Sequence, residues 1–169
     1  ILIRDSTHIE HQMNLRITEY EKFGFRYQPD PICVRRELEE YQLADEIWVL
    51  SEFAKNTFVS RGISQTKIKV YSLGVNSSFF KPRIDLTPHK PLQVLFLGTL
   101  SFRKGTYYLL EAFQKISPSL AELSLIGPMD PKFEKAVKTY PNCKYLGPKT
   151  HLELAQVLPQ FDLYCLPSL

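Results

Sequence analysis

Apolar and polar positions along this chain fall into short blocks that predict strands and helices in alternation. Ile1 to Ile3 are an apolar triplet, the end of a buried strand, and Arg4-Asp5-Ser6-Thr7-His8 follows as a polar loop. Ile9, Met13, Ile17 and Tyr20 then recur at the spacing of one helix face, which predicts a helix from Ile9 to Phe23 with Gly24 as its stop. Pro29-Asp30-Pro31 is a loop and helix start. A charged helix runs from Ile32 to Tyr41 and on toward Leu43. Ala44 to Leu50 turns into a buried strand, and Ser51 is placed to cap a helix over Glu52–Arg61. Glu52 in its first turn suits the helix dipole, and Gly62 ends it. Lys67 to Tyr71 is a third strand.

The second half repeats the alternation. Strands are expected at Leu92–Leu97, Glu122–Ile126, Cys143–Leu146 and Phe161–Leu166, and helices at Lys104–Ile116, Pro131–Tyr140 and His151–Leu158. Strand and helix at this spacing imply right-handed crossovers and a parallel sheet, in the order 3-2-1-4 of half a doubly wound fold. Between the halves, Arg83–Pro91 mixes charge with proline and reads as an interdomain linker. The expected organisation is one α/β domain over residues 1–82, a linker over 83–91, and a second, incomplete α/β domain over 92–169.

Composition adds limits. With 169 residues, 44% hydrophobic and 23% charged, the chain is ordinary globular material with enough length for one large or two small cores. The formal charge of +3 is too small to argue for nucleic acid; it suits an anionic small substrate or weak attraction to an acidic membrane surface. No apolar run approaches the roughly 18 to 20 residues of a membrane helix. Cys33, Cys143 and Cys165 are odd in number, far apart and without zinc-type spacing, which suits reduced thiols in a cytosolic protein. The chain opens on Ile-Leu-Ile without the marks of a signal peptide and closes on a strand entering a loop, so it is expected to be the interior of a larger protein.

In a doubly wound sheet, ligands bind at the carboxyl ends of the strands near the point where strand order reverses. This directs attention to Gly98-Thr99-Leu100-Ser101-Phe102-Arg103-Lys104-Gly105-Thr106. The loop holds two adjacent cations, two glycines and hydroxyl side chains, and it opens a helix whose terminal amides favour an anion. A diphosphate needs that combination, although Arg103 and Lys104 as solvated loop charges explain the same residues. Neither the phosphate loop of ATPases nor G-x-G-x-x-G is present.

Four stretches carry a resemblance. Val94 to Gly105 resembles the donor-binding loop of retaining glycosyltransferases of the GT-B fold, family 4 (glycosyl transferases group 1). Asp45 to Phe53 is similar to that family's A-D-x-I-x-V-x-S-E-x strand and helix start. Tyr71 to Asn76, with Phe80-Lys81-Pro82, resembles its P-N-G-V-D…F-x-P segment, and Phe161 to Leu169 the strand before its E-G-F-G…E signature. The order is the family's and spans nearly the whole chain.

The resemblance implies a GT-B type fold of two Rossmann-like units. Its activity moves a sugar from a nucleoside-diphosphate sugar to an acceptor hydroxyl with retained configuration. Lys104 matches the lysine that holds the donor diphosphate and Gly98 the glycine that lets the donor approach. The family usually has Arg where this chain has Thr99, and Arg103 can supply the missing charge, since a guanidinium grips two phosphate oxygens. Gly147-Pro148-Lys149 matches the loop near the nucleotide base. Ser51 and Glu52 face the cleft or simply cap a helix. Gly74 is kept for tight turn geometry, while Leu73 and Asn76 depart from the family's Asn and Asp. His8 matches a histidine that contacts the transferred sugar and is the catalytic candidate, with a capping role for it and for His11 as the alternative. The resemblance implies no cofactor and no metal. The partners it implies are a nucleotide-sugar donor and a carbohydrate or lipid-linked acceptor, in a cytoplasmic setting that leaves room for peripheral membrane contact. The paired glutamates of the family fall beyond Leu169. A non-catalytic nucleotide-sugar-binding or regulatory module on the same scaffold is the other function these residues allow.

Overall fold

The computed structural model describes residues 1–4 and 6–168, apart from the side chains of Lys132 and Ala136. Asp5, in the expected polar loop, and Leu169, the last residue of the Phe161–Leu169 motif, lie outside the described residues. The chain folds into two compact units that divide between Val75 and Asn76.

In the first unit, β1 (Leu2–Arg4), β2 (Ile47–Val49) and β3 (Ile68–Val70) form a parallel sheet in the order β1-β2-β3. Leu2 pairs with Ile47, and Ile47 with Ile68. The helices are α1 (Ile9–Lys22), α2 (Pro31–Leu43) and α3 (Glu52–Val59). Each start has a local cause. Asp30 accepts from the Ile32 amide with Pro31 in the first turn, and Ser51 Oγ accepts from the Ala54 amide. Tyr41, Ile47, Val49, Ala54, Phe58, Ile63 and Ile68 make one buried cluster between sheet and helices.

In the second unit, β4 (Leu92–Leu97), β5 (Ala121–Ile126), β6 (Cys143–Gly147) and β7 (Leu163–Tyr164) pair in parallel in the order β6-β5-β4-β7. In chain order within the unit this is 3-2-1-4, as the sequence leads one to expect. The helices are α4 (Thr106–Gln114), α5 (Glu134–Thr139) and α6 (His151–Val157). Leu95, Phe96, Leu123, Leu125 and Ile126 are almost fully buried, consistent with central parallel strands covered on both faces. Asn142, itself buried, donates to the Phe113 and Ile116 carbonyls at 3.1 Å and closes the end of α4 from a distant part of the chain.

Several boundaries differ from the sequence expectation. The helix expected from Lys104 begins at Thr106, because Phe102–Lys104 form a separate short 3-10 turn that ends in left-handed Gly105 at φ +68°. The helix expected over 131–140 likewise splits into a 3-10 turn and the short α5. The last strand pairs only over Leu163–Tyr164, since its register partners on β4 are Val94 and Leu95 alone. Residues 76–82, grouped with the first domain on sequence, pack with the second unit.

The segment read as a linker is held to the second unit by one carboxylate. Asp162 Oδ1 accepts from Arg83 at 3.0 Å, from the His89 ring at 2.9 Å and from the His89 amide at 3.2 Å. Its Oδ2 accepts from the Gln93 amide at 2.8 Å. Desolvation works against the Asp162 carboxylate, but the hydrogen bonds from Gln93, His89 and Arg83 outweigh it and hold the carboxyl far below the usual range.

Candidate functional site

The second unit places Gly98, Thr99, Arg103 and Lys104 after the carboxyl end of β4, and Gly147, Pro148 and Lys149 at that of β6. Strand order reverses between β4 and β7, and the loop Gly98–Thr106 leaves the sheet beside that reversal. The backbones there are crowded. Gly98 N donates to Ile126 O at 2.9 Å, and Gly127 N to Gly147 O at 3.1 Å. A Cβ on Gly127, at φ +133°, would sit 2.2 Å from Gly98 O, so only glycine fits. Two tyrosines reinforce the strand ends: Tyr164 Oη donates to Leu97 O at 3.2 Å and Tyr145 Oη to Gly127 O at 2.9 Å.

The loop itself is a closed turn. Ser101 O accepts from the Lys104 amide at 3.2 Å and the Thr106 amide at 3.3 Å, while Phe102 O accepts from the Gly105 amide at 2.9 Å. The Ser101 amide donates to Thr106 Oγ1 at 3.0 Å. The amides of Lys104, Gly105 and Thr106 are consumed inside the turn. What the turn offers an anion is the pair of side chains at its tip. Arg103 is exposed and Lys104 half-buried, and neither has an ion-pair partner among the described residues. Burial, and then repulsion from Arg103, pull the Lys104 ammonium below its ordinary value. Two unpaired cations side by side are a site that an anion would relax.

The Phe102 ring anchors the turn against Phe133, at a centroid distance of 5.1 Å. On the other side the turn abuts the exit of β7. A Cβ on Gly105 would meet Pro167 O at 1.8 Å, and Ser168 Oγ donates to Arg103 O at 3.4 Å. Thr99 is exposed beside Gly98. Gly147 ends β6, Pro148 is exposed, Lys149 is half-buried, and Thr150 and Glu153 form a capping box that starts α6.

In the first unit, His8 caps α1. Its Nδ1 accepts from the Glu10 amide at 3.2 Å, and its amide donates to Thr57 Oγ1 at 3.0 Å. The ring is 3% exposed and packs against Tyr41 and Phe58 at 4.9 and 5.2 Å. Burial lowers its pKa; nearby Glu10 opposes this, and Arg61, Arg4 and His11 add to it. Because Nδ1 is an acceptor, the ring proton is on Nε2. Together with Arg35, Glu39, Tyr41 and Arg61, His8 lines a cavity of about 380 Å³. His11 packs edge-on against Phe53. Ser51 caps α3, and Glu52 is exposed beside Lys55 at 3.7 Å. Gly74, read as a turn glycine, has no positive φ, and a Cβ there would meet nothing. Its expected backbone role is therefore absent.

Sequence reasoning missed Asp162, Thr106 and the two tyrosines. Asp162 was visible only as one residue of a strand, and Thr106 only as one hydroxyl of the loop. Among the described residues no group of three or more His, Cys, Asp or Glu is placed to hold a metal ion, and no helix is long and apolar enough to cross a membrane.

A pair of parallel α/β units, the second with its cationic loop at the strand-order reversal, defines a GT-B type fold of which the chain holds a part. Residues 91–169 match the model of the family described as glycosyl transferases group 1. Solved structures agree on the fold. Alr3699/HepE of Anabaena, solved with UDP and glucose, matches 79% of this chain with a TM-score of 0.63 at 20% identity, over 41% of its own length. The lipopolysaccharide outer core galactosyltransferase WaaB, in its apo form, matches 73% with a TM-score of 0.55 at 22% identity, over 37% of its own. A glycosyltransferase from Rickettsia africae matches 84% with a TM-score of 0.61 at 16% identity, over 43% of its own. The chain thus spans about two fifths of the length of these structures. No curated protein matches it in sequence.

Proposed function

We propose that the chain is part of a retaining, family 4 glycosyltransferase that moves a sugar from a nucleoside-diphosphate sugar to the hydroxyl of a carbohydrate or lipid-linked acceptor. The observation that carries this is the Arg103–Lys104 couple, without an ion-pair partner among the described residues, on a closed turn at the carboxyl end of β4. In such a transfer the bond from the anomeric carbon to the diphosphate oxygen breaks with its electron pair, and the acceptor oxygen takes the carbon. The products are the glycoside, the nucleoside diphosphate and a proton. Negative charge grows on the leaving diphosphate, so fixed cations there lower the barrier. Lys104 and Arg103 fill that role without a cofactor or metal. Gly98 leaves room for the donor, the Thr99 hydroxyl can donate to a phosphate oxygen, and Gly147, Pro148 and Lys149 border the base. UDP and UDP-glucose, named with the Anabaena structures, make a uridine donor the first to test.

Within this proposal the first unit is the acceptor-side domain. Its catalytic candidate is His8, whose Nε2 proton could be donated to a sugar hydroxyl. The setting is cytoplasmic, with peripheral contact at a membrane. A non-catalytic nucleotide-sugar-binding module is the second reading, favoured by Thr99 at the family's arginine position; binding without turnover would select it. The test of the donor site is Lys104→Ala in the full-length protein. Loss of one charged hydrogen bond, about 1.5–3 kcal/mol, predicts roughly 10- to 100-fold weaker nucleotide-sugar binding. Unchanged affinity by calorimetry would remove Lys104 from the site.

A further inference from the structure

We infer that Thr106 is a positioning residue for the donor diphosphate, acting through the turn that carries Arg103 and Lys104; this rests on the reading of that turn as the diphosphate site. Thr106 is fully buried. The hydroxyl oxygen accepts from the Ser101 amide at 3.0 Å, and the Thr106 amide returns a bond to Ser101 O at 3.3 Å. These two bonds tie the ends of the Ser101–Thr106 segment together, and the Lys104 amide reaches the same Ser101 oxygen. Without the hydroxyl, the Ser101 amide loses its partner and the ring is open on one side.

The consequence is specific to this turn. The amides of Lys104, Gly105 and Thr106 are already bonded, so recognition of an anion leans on the two long side chains of Arg103 and Lys104. Long cationic side chains lose much conformational freedom when they clamp a ligand. A stiff base lowers that loss, because only the side-chain torsions remain to be fixed. The turn is braced from outside by Pro167 against Gly105 and by Ser168 on Arg103 O. Thr106 is the brace from inside.

The test compares Thr106→Val, Thr106→Ser and Lys104→Ala in the full-length protein. Binding of UDP, GDP and ADP, and of the matching nucleosides, is measured by calorimetry below the unfolding midpoint of every variant. Thr106→Val should bind the nucleoside diphosphate about tenfold more weakly, the scale of one hydrogen bond. Its affinity for the nucleoside should not change, and Thr106→Ser should restore the diphosphate affinity. A role confined to stability would lower the unfolding temperature and leave the ratio of diphosphate to nucleoside affinity alone. If Lys104→Ala weakens binding and Thr106→Val does not, the inference is wrong and the donor site stands. If Lys104→Ala binds normally, or the wild type binds none of the three, the donor site itself falls and the inference with it. Should Thr106→Val not fold, Thr106→Ala against Thr106→Ser is read in the same way.

Discussion

Gly127→Ala puts the crowding at the head of the second sheet to a quantitative test. The added Cβ would sit 2.2 Å from Gly98 O and 2.7 Å from Gly98 C, both backbone atoms with no rotamer to yield. The two strand ends would have to part by roughly 1 Å to reach ordinary contact. Gly98 N and Gly127 N are each tied into the sheet, to Ile126 O and Gly147 O, so parting them strains two ladder bonds. Overpacking of this kind costs about 1–3 kcal/mol. Holding an alanine at φ +133° adds about 1–3 kcal/mol more, for an expected loss near 4 kcal/mol. Gly147→Ala is the control. It shares the unit and a positive φ of +71°, yet its Cβ would have open space, so only the backbone term of about 1–2 kcal/mol applies. The assay is urea unfolding of both variants followed by far-UV circular dichroism, because Trp48, the one tryptophan, lies in the first unit and reports on that alone. A Gly127→Ala loss no larger than that of Gly147→Ala would refute the reasoning, since the contact would then contribute nothing.

Two further outcomes follow from named groups. His8 titrates below its ordinary value when folded, so as pH falls from about 7 to 5 the unfolded chain takes up a proton that the folded chain resists. Stability therefore declines across that window, and His8→Asn, which keeps a capping acceptor, should flatten the slope of unfolding free energy against pH; an unchanged slope would clear His8 of the effect. Thr150→Ala removes the capping box of α6 and should destabilise the second unit by about 1 kcal/mol in the same urea assay, with Thr150→Ser near wild type.

The sequence by itself determined the order and kind of nearly every element, because those depend on near neighbours. Helix starts at Asp30, Ser51 and Thr150 are local hydrogen bonds to amides two or three residues on, and the stops at Gly24 and Gly62 are single left-handed glycines. The buried runs Val94–Phe96 and Leu123–Ile126 carry their hydrophobicity in composition, and with right-handed crossovers they leave little choice but the 3-2-1-4 sheet. The cationic loop was legible for the same reason: Gly98, Arg103 and Lys104 fall in one short stretch of the chain. Tertiary structure alone decided what joins residues far apart. Asp162 clasps Arg83, His89 and Gln93 across some seventy positions, and so makes the supposed linker part of the second unit. Asn142 closes α4 from the turn before β6, and Gly127 is a glycine because Gly98 lies against it. Even inside the loop, the turn that spends the Lys104 and Thr106 amides on Ser101 O and the Gly105 amide on Phe102 O appears only once the chain closes on itself. Local propensity has no term for a carbonyl or carboxylate brought in from elsewhere, and those groups decide which polar atoms are satisfied and which remain for a ligand.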